Sequence, residues 1–359
     1  MSDVYKRLAE KLDSFPNGFP TTESGVELKI LKKIFTPEEA EVALKVPPMP
    51  ETVEAIAERI GKPAPETQAT LDTMARKGLV GFLKESGQEL YMLMPFVIGL
   101  MESSTLHRMN KEIAELFEQY APYLSRGYGK FAPAEARVVP VSTQIPADLQ
   151  VYRYEDLRRM IEEAKSFELL NCWCRQERAA VGHPCKHTVE ICLQFSKEEG
   201  QYDKYPMGRK ITKEEALQVM AKAEEEGLVH VSYNAEDGQV FCCNCCPCCC
   251  GLMRGLKEYK APNIIAKSNF VASIDQESCS ACGVCADERC PMNAIIEEDS
   301  TYRVQPERCI GCGVCAPTCP TESIKLVRRP GPEQDKPPTD LMQLYMERAA
   351  KRGIEIKIE

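Results

Sequence analysis

A multidomain α+β chain is predicted by three observations. Its 359 residues exceed what one ordinary domain holds. Apolar spacing of helical period near the N-terminus gives way to short alternating runs and then returns. Its nineteen cysteines fall in two dense blocks, 172–250 and 279–319. The text divides into a helical N-terminal domain containing a hairpin (1–125), a linker (126–150), a cysteine-rich α+β domain (151–262), a domain built on a cysteine repeat (263–329), and a proline-rich spacer with a last helix (330–359). The formal net charge of −9 argues against a general nucleic-acid-binding surface. An odd cysteine count with adjacent pairs such as Cys242-Cys243 argues against a disulfide scaffold, since neighbouring thiols rarely present the geometry a bridge needs. Metal ligation in a reducing cytoplasm suits these cysteines better.

The first residues, MSDVYKRLAEKLDSF, form a mixed-charge amphipathic segment without the apolar run of a secretory signal. The longest apolar run, Tyr91 to Met101, contains Pro95 and falls short of a bilayer span, so a cytoplasmic protein without a membrane span is expected. Val26, Leu28, Ile30, Leu31 and Ile34 sit at helical spacing. Thr36-Pro37-Glu38-Glu39 reads as a capping box that starts a second helix. A third helix follows Pro50 and stops at Gly61; a fourth runs from Glu66 to Lys77. Alternating runs Leu79 to Leu83 and Glu89 to Met94, joined by Glu85-Ser86-Gly87-Gln88, read as a hairpin. This order of elements resembles winged helix-turn-helix domains, which gives a winged-helix-like N-terminal domain. In a DNA-binding version the fourth helix enters the major groove. That helix carries few basic residues, so nucleic acid is not expected as a partner, and a protein-docking or purely structural role is preferred.

Pro95 to Tyr123 reads as one further helix, with His107 a bystander. Pro122 to Leu149 reads as a linker, and Glu155 to Phe167 as a helix. The middle block opens with Asn171-Cys172-Trp173-Cys174-Arg175 and continues through Gly182-His183-Pro184-Cys185-Lys186-His187 to Cys192. A helix capped by Thr212 and Glu215 and a strand Val229 to Tyr233 lead to the run Cys242 to Cys250. This arrangement resembles a cysteine-rich domain found before ferredoxin repeats in iron–sulfur proteins of anaerobes. Cys172, Cys174, Cys185 and Cys192 lie within about one supersecondary unit. They can converge with Cys243, Cys245, Cys246 or Cys249 on a further iron–sulfur cluster, with Arg175 offsetting thiolate charge. Zinc held by Cys185, His183 and His187 is the alternative. His230 has no evident partner in sequence and reads as structural.

From Ile274 to Val327 one pattern is written twice. Cys279, Cys282 and Cys285 precede Cys290-Pro291; Cys309, Cys312 and Cys315 precede Cys319-Pro320. Three thiolates at i, i+3 and i+6 on a glycine-containing loop can wrap three irons of a cubane. The repeat resembles the bacterial-type two-cluster ferredoxins, so a ferredoxin-like two-cluster domain is expected. The resemblance implies one [4Fe–4S] cluster on Cys279, Cys282, Cys285 and Cys319, and a second on Cys309, Cys312, Cys315 and Cys290. The first copy has four residues, Ala286 to Arg289, where the usual gap is three, so a one-residue bulge is expected there. Two zinc sites are the alternative, disfavoured because the third cysteine and the Cys-Pro recur in both copies. The tail offers a spacer, Pro330 to Pro338, and a helix from Thr339 to Arg352.

The chain contains no dinucleotide fingerprint, Walker loop or nucleophile elbow, and no catalytic residue is assigned. An electron-transfer protein, or the electron-carrying subunit of an anaerobic oxidoreductase, is the leading expectation, with a redox partner protein implied. A redox-sensing transcription regulator is the alternative, and an enzyme using an open iron site in the middle block is a third reading. The oligomeric state is left open.

Overall fold

The computed structural model describes residues 3–355. Residues 3–128 are mainly helical. Val4–Asp13, Val26–Ile34, Pro37–Ala43, Val53–Ile60 and Ala64–Arg76 precede a two-stranded hairpin, Gly81–Glu85 with Gln88–Met92. The local signals act as their chemistry requires. Thr36 and Glu39 close a full capping box, Gly61 ends its helix in the left-handed region, and Ser86 and Gly87 supply the two positive-φ positions of the hairpin turn.

Three elements differ from the sequence expectation. Pro95 to Tyr123 is not one helix. A π-type turn at Phe96–Leu100 contains extended residues, a short helix Met101–Thr105 follows, and a separate helix Lys111–Tyr128 starts at the Asn110 cap. Asn110 accepts the Ile113 N–H, and such a cap ends a helical run as readily as it begins one. The stretch read as a linker contributes the last turns of that helix, with Pro122 inside it, and a fully buried strand, Ala136–Val139. Glu155 to Phe167 holds only the helix Leu157–Glu163 before a strand begins at Ser166. Strand burial on both faces explains the last two, because such strands lose the alternation by which strands are read.

A seven-stranded sheet forms the centre. Its order is Arg209–Lys210, Ser166–Asn171, Glu190–Ser196, Phe241–Cys245, Val229–Tyr233, Ala136–Val139 and Ile265–Ala266; every pair is antiparallel except the last. The helix Lys213–Glu225, capped by Thr212, covers one side with Ala216, Val219 and Ala223. The N-terminal helices, the sheet and residues Ile310, Cys312 and Val314 share one buried apolar cluster.

The cysteine repeat adds two small antiparallel sheets, Phe270–Ile274 with Ile324–Arg328 and Ile295–Glu298 with Thr301–Val304. The C-terminal helix Leu341–Arg352 packs back on its own chain. Arg348, fully buried, donates to the carbonyls of Tyr128, Phe131 and Pro133, and Tyr345 donates to Glu135 at 3.0 Å. Among the described residues no helix is long and apolar enough to cross a membrane.

Candidate metal centres

In the repeat, each sheet pair ends on a cysteine loop, and two cavities form where the loops of the two copies meet. One is lined by Cys279, Cys282 and Cys285 together with Cys319; the other by Cys309, Cys312 and Cys315 together with Cys290. Each set therefore draws three thiols from one copy and one from the other. The surroundings differ. Cys309, Cys312 and Cys315 are buried, whereas Cys282 is exposed and Cys279, Cys285 and Cys319 are half-buried. Burial pushes the Cys312 thiol up to about 12 and the Cys315 thiol well above its ordinary value, so a metal must displace those protons on binding. Arg329, itself buried, donates to the Cys309 carbonyl at 2.7 Å and fixes the inner loop.

The longer gap in the first copy is absorbed by a π-type turn, Cys285–Arg289, closed by the Cys290 N–H on the Cys285 carbonyl at 3.0 Å. The second copy closes the corresponding turn from the Cys319 N–H to the Ala316 carbonyl. One extra residue thus widens a turn and leaves both Cys-Pro corners in place. Arg289 at the end of the wide turn donates to the carbonyls of Val314, Glu224 and Glu225 at 2.9–3.0 Å. It ties the repeat to the open end of the Lys213–Glu225 helix.

The middle cysteines separate into two groups and one outlier. Cys172 neighbours Cys174 and Cys192; Cys174 neighbours Cys250; Cys250 neighbours Cys245; Cys245 neighbours Cys243; and Cys243 returns to Cys192. Six thiols close a ring. Cys172 and Cys250 occupy helix N-caps, Cys192 lies on one strand, and Cys243 and Cys245 lie on its neighbour. Hydrogen bonds within the ring make its members alternate. Cys172, Cys243 and Cys250 accept and are held toward thiolate, Cys243 at about 6; Cys174, Cys192 and Cys245 donate and are held as thiols.

The second group is tighter. The Sγ atoms of Cys185, Cys246, Cys248 and Cys249 all lie within 4.8 Å of one another. Cys185 is 3.7 Å from Cys246 and 3.5 Å from Cys248, and Cys248 is 3.7 Å from Cys249. Hydrogen bonds from Cys248 and Cys249 hold Cys246 far below the usual thiol range, and the contact with Cys246 pushes Cys248 up to about 12. Arg175 stands between the groups. Although burial opposes its charge, the thiolates of Cys172 and Cys246 raise its pKa, and it donates to the carbonyls of Thr188 and Asn244 at 2.9 and 3.0 Å.

Of the middle residues expected from sequence, Cys172, Cys174, Cys192, Cys243 and Cys245 enter the ring, and Cys185, Cys246 and Cys249 enter the tetrad. Cys250 and Cys248 complete these groups and were not expected. His183 and His187 do not join Cys185: the tetrad is made of cysteines alone, and His187 Nδ1 lies 3.4 Å from Glu226. His230 does have partners. Its Nδ1 is 2.6 Å from Asn244 Oδ1 and its Nε2 is 3.4 Å from Glu224, while Cys242 lies 4.0 Å away on the same face. Strand alternation is the signal that separates them, since Cys243 and Cys245 face the ring whereas Cys242 and Asn244 face His230.

The donor chemistry fits metal. Six neighbouring thiols exceed the four ligands that one tetrahedral ion accepts, and soft thiolates favour iron–sulfur clusters or zinc. Comparison with protein families matches the 4Fe-4S binding domain at residues 302–325, which contain Cys309, Cys312, Cys315 and Cys319. No curated protein and no solved structure matches the chain.

Proposed function

We propose that this chain is an iron–sulfur electron-transfer protein, working alone or as the electron-carrying subunit of an oxidoreductase. Its repeat would be a two-cluster unit of the bacterial ferredoxin type, with Cys279, Cys282, Cys285 and Cys319 holding one [4Fe–4S] cluster and Cys290, Cys309, Cys312 and Cys315 the other. The observation that carries this reading is the pair of cavities, each lined by four cysteines drawn three and one from the two copies. A cluster held by four thiolates supplies one-electron redox chemistry without an open coordination position. The six-thiol ring would hold a further cluster.

The chain's own residues give the arrangement a direction. Cys312 on the inner loop shares one apolar cluster with Cys245 and Cys250 of the ring, and Trp173 packs against that cluster. The half-buried outer set, with Cys282 exposed, faces solvent and suits contact with a redox partner protein. Reduced thiols at this density suit the cytoplasm.

The helices and hairpin of the N-terminal region serve, in this reading, as a winged-helix-like docking domain. The regulator alternative needs the Ala64–Arg76 helix free for DNA. Arg76 instead lies over the Tyr205 ring, Lys77 pairs with Glu39 at 2.5 Å, and Asp72 accepts from Tyr205. Its basic side chains, though exposed, already have partners on the protein's own surface.

Anaerobic purification with iron analysis and EPR tests the proposal. About twelve irons per chain are expected, by the four-iron stoichiometry of each cluster. Cys319→Ala should disturb the cluster set of Cys279, Cys282 and Cys285 and spare the other. Disturbance of the Cys309 set alone would refute the crossover, and iron-free protein would refute the function.

A further inference from the structure

The four-cysteine group at Cys185, Cys246, Cys248 and Cys249 has a geometry of its own. A tetrahedral ion with metal–sulfur bonds near 2.3 Å sets its sulfurs about 3.8 Å apart, by simple trigonometry. Three of the six separations, 3.5, 3.7 and 3.7 Å, lie at that value, and all six are within 4.8 Å. Terminal sulfurs of a cubane are carried outward on four different irons and stand about 6 Å apart. A four-iron cluster cannot seat here without pulling the group open. The eight cysteines of the repeat behave differently: among the described residues they form no comparable knot of sulfur atoms, and they line cavities instead.

We infer that this tetrad is a mononuclear, redox-inert zinc site, separate from any iron–sulfur cluster of the protein. The inference stands on the tetrad alone and holds whether or not the ring binds iron. Four protein thiolates close the coordination sphere, which is the pattern of structural rather than catalytic zinc. Position agrees. Cys185 sits in the irregular loop 181–189, outside any helix or strand, while the other three cysteines lie on the turn that follows Phe241–Cys245. One end of the loop is already held, by the Thr188 N–H on Glu226 at 2.9 Å. The tetrad pins the other end across 61–63 residues of sequence. Arg175 faces Cys246 and offsets part of the negative charge that four thiolates leave around a divalent ion.

The test uses the full chain, purified without oxygen and analysed for zinc and iron. One zinc per chain is expected, absent from the double variant Cys185→Ser/Cys248→Ser, with iron content and EPR signals unchanged. Protein produced with cobalt should show the ligand-field bands of tetrahedral thiolate-bound cobalt(II), lost in the same variant. Cys248→His should keep zinc, which accepts imidazole, and shift the cobalt bands. Loss of about four irons per chain in the double variant would overturn the assignment. So would a wild-type protein with iron, a disulfide or no metal in place of zinc. If the double variant does not fold, the wild-type zinc count and cobalt spectrum decide. A failure of the electron-transfer reading would appear instead as missing iron with zinc retained.

Discussion

Replacing Glu118 by glutamine perturbs the point at which three helices are tied together. Glu118, on the Lys111–Tyr128 helix, accepts from Arg254 at 2.6 and 3.1 Å and pairs with Arg178 at 2.8 Å. Arg178 is on the helix that follows Cys172, and Arg254 on the helix that follows Cys250. Burial opposes its charge, but the hydrogen bonds from both guanidinium groups carry the Glu118 carboxyl down to about 2. Glu177 lies beside it, and burial followed by the Glu118 charge pushes that group up to about 8. Hydrogen bonds to charged groups contribute about 1.5–3 kcal/mol each. Partial exposure, the contacts that Arg254 keeps to Glu258 and Tyr259, and release of Glu177 to ionise reduce the net loss to about 2 kcal/mol. For a chain of this size that is a fall in Tm of about 3 °C.

The pH dependence of that loss can be signed. The contribution of Glu118 is fully present above the ordinary carboxylate range, about 4.3, and fades only as pH falls toward 2. Glu177 can replace it only when ionised, which the substitution eases as pH rises. The gap between wild type and Glu118→Gln should therefore be widest near pH 5 and narrower at pH 8, measured by thermal unfolding under anaerobic conditions. A gap that widens with pH, or a Tm that does not move at either pH, would refute the account.

Glu177→Gln should raise Tm at pH 8 and raise it much less near pH 5, because a raised carboxyl pKa costs stability increasingly between its ordinary value and about 8; the gain at pH 8 should be about 1–3 kcal/mol. Gly311→Ala should empty the inner cavity of iron, since its φ is +69° and an added Cβ would lie 2.1 Å from the Phe270 carbonyl oxygen; unchanged iron content would contradict this. Cys242→Ala should leave zinc and iron counts as they are, because Cys242 faces His230 and Asn244 and belongs to neither thiol group. Arg289→Ala should cost only about 1 kcal/mol, as the freed helix-end carbonyls regain water, yet make the repeat markedly easier to release by limited proteolysis.

The cysteine repeat was readable because its chemistry fixes spacing along the chain: three thiols six residues apart can serve one cavity only in a local loop. The N-terminal helices were readable for a similar reason, since Thr36, Pro37 and Gly61 act on their own neighbours. The middle block was not, because the nine positions from Cys242 to Cys250 hold seven cysteines, every one adjacent to another, whose partners at 172–192 are set by sheet pairing. Strand alternation over Phe241–Cys245 supports leaving Cys242 out of the candidate ligands, as the sequence reading does. Nothing local distinguishes Cys248, which points to Cys185, from Cys250, which caps a helix and joins the ring. Strand Ala136–Val139 was hidden by being buried on both faces, with Arg137 as its polar residue satisfied by Asn234, Asp335 and the Lys267 carbonyl.

A unit made from two copies of one motif has a symmetry problem: turned end for end, it presents nearly the same face to whatever it docks against. The fourth residue of the Ala286 to Arg289 gap removes that ambiguity. It belongs to one copy only, and the turn it widens puts a guanidinium where the other copy has none, seated on the carbonyl end of the Lys213–Glu225 helix. The repeat can then lock in a single sense, with the buried thiol set inward and the exposed set outward. A difference of one residue between duplicated halves acts as a key, converting a reversible module into one with an inside and an outside.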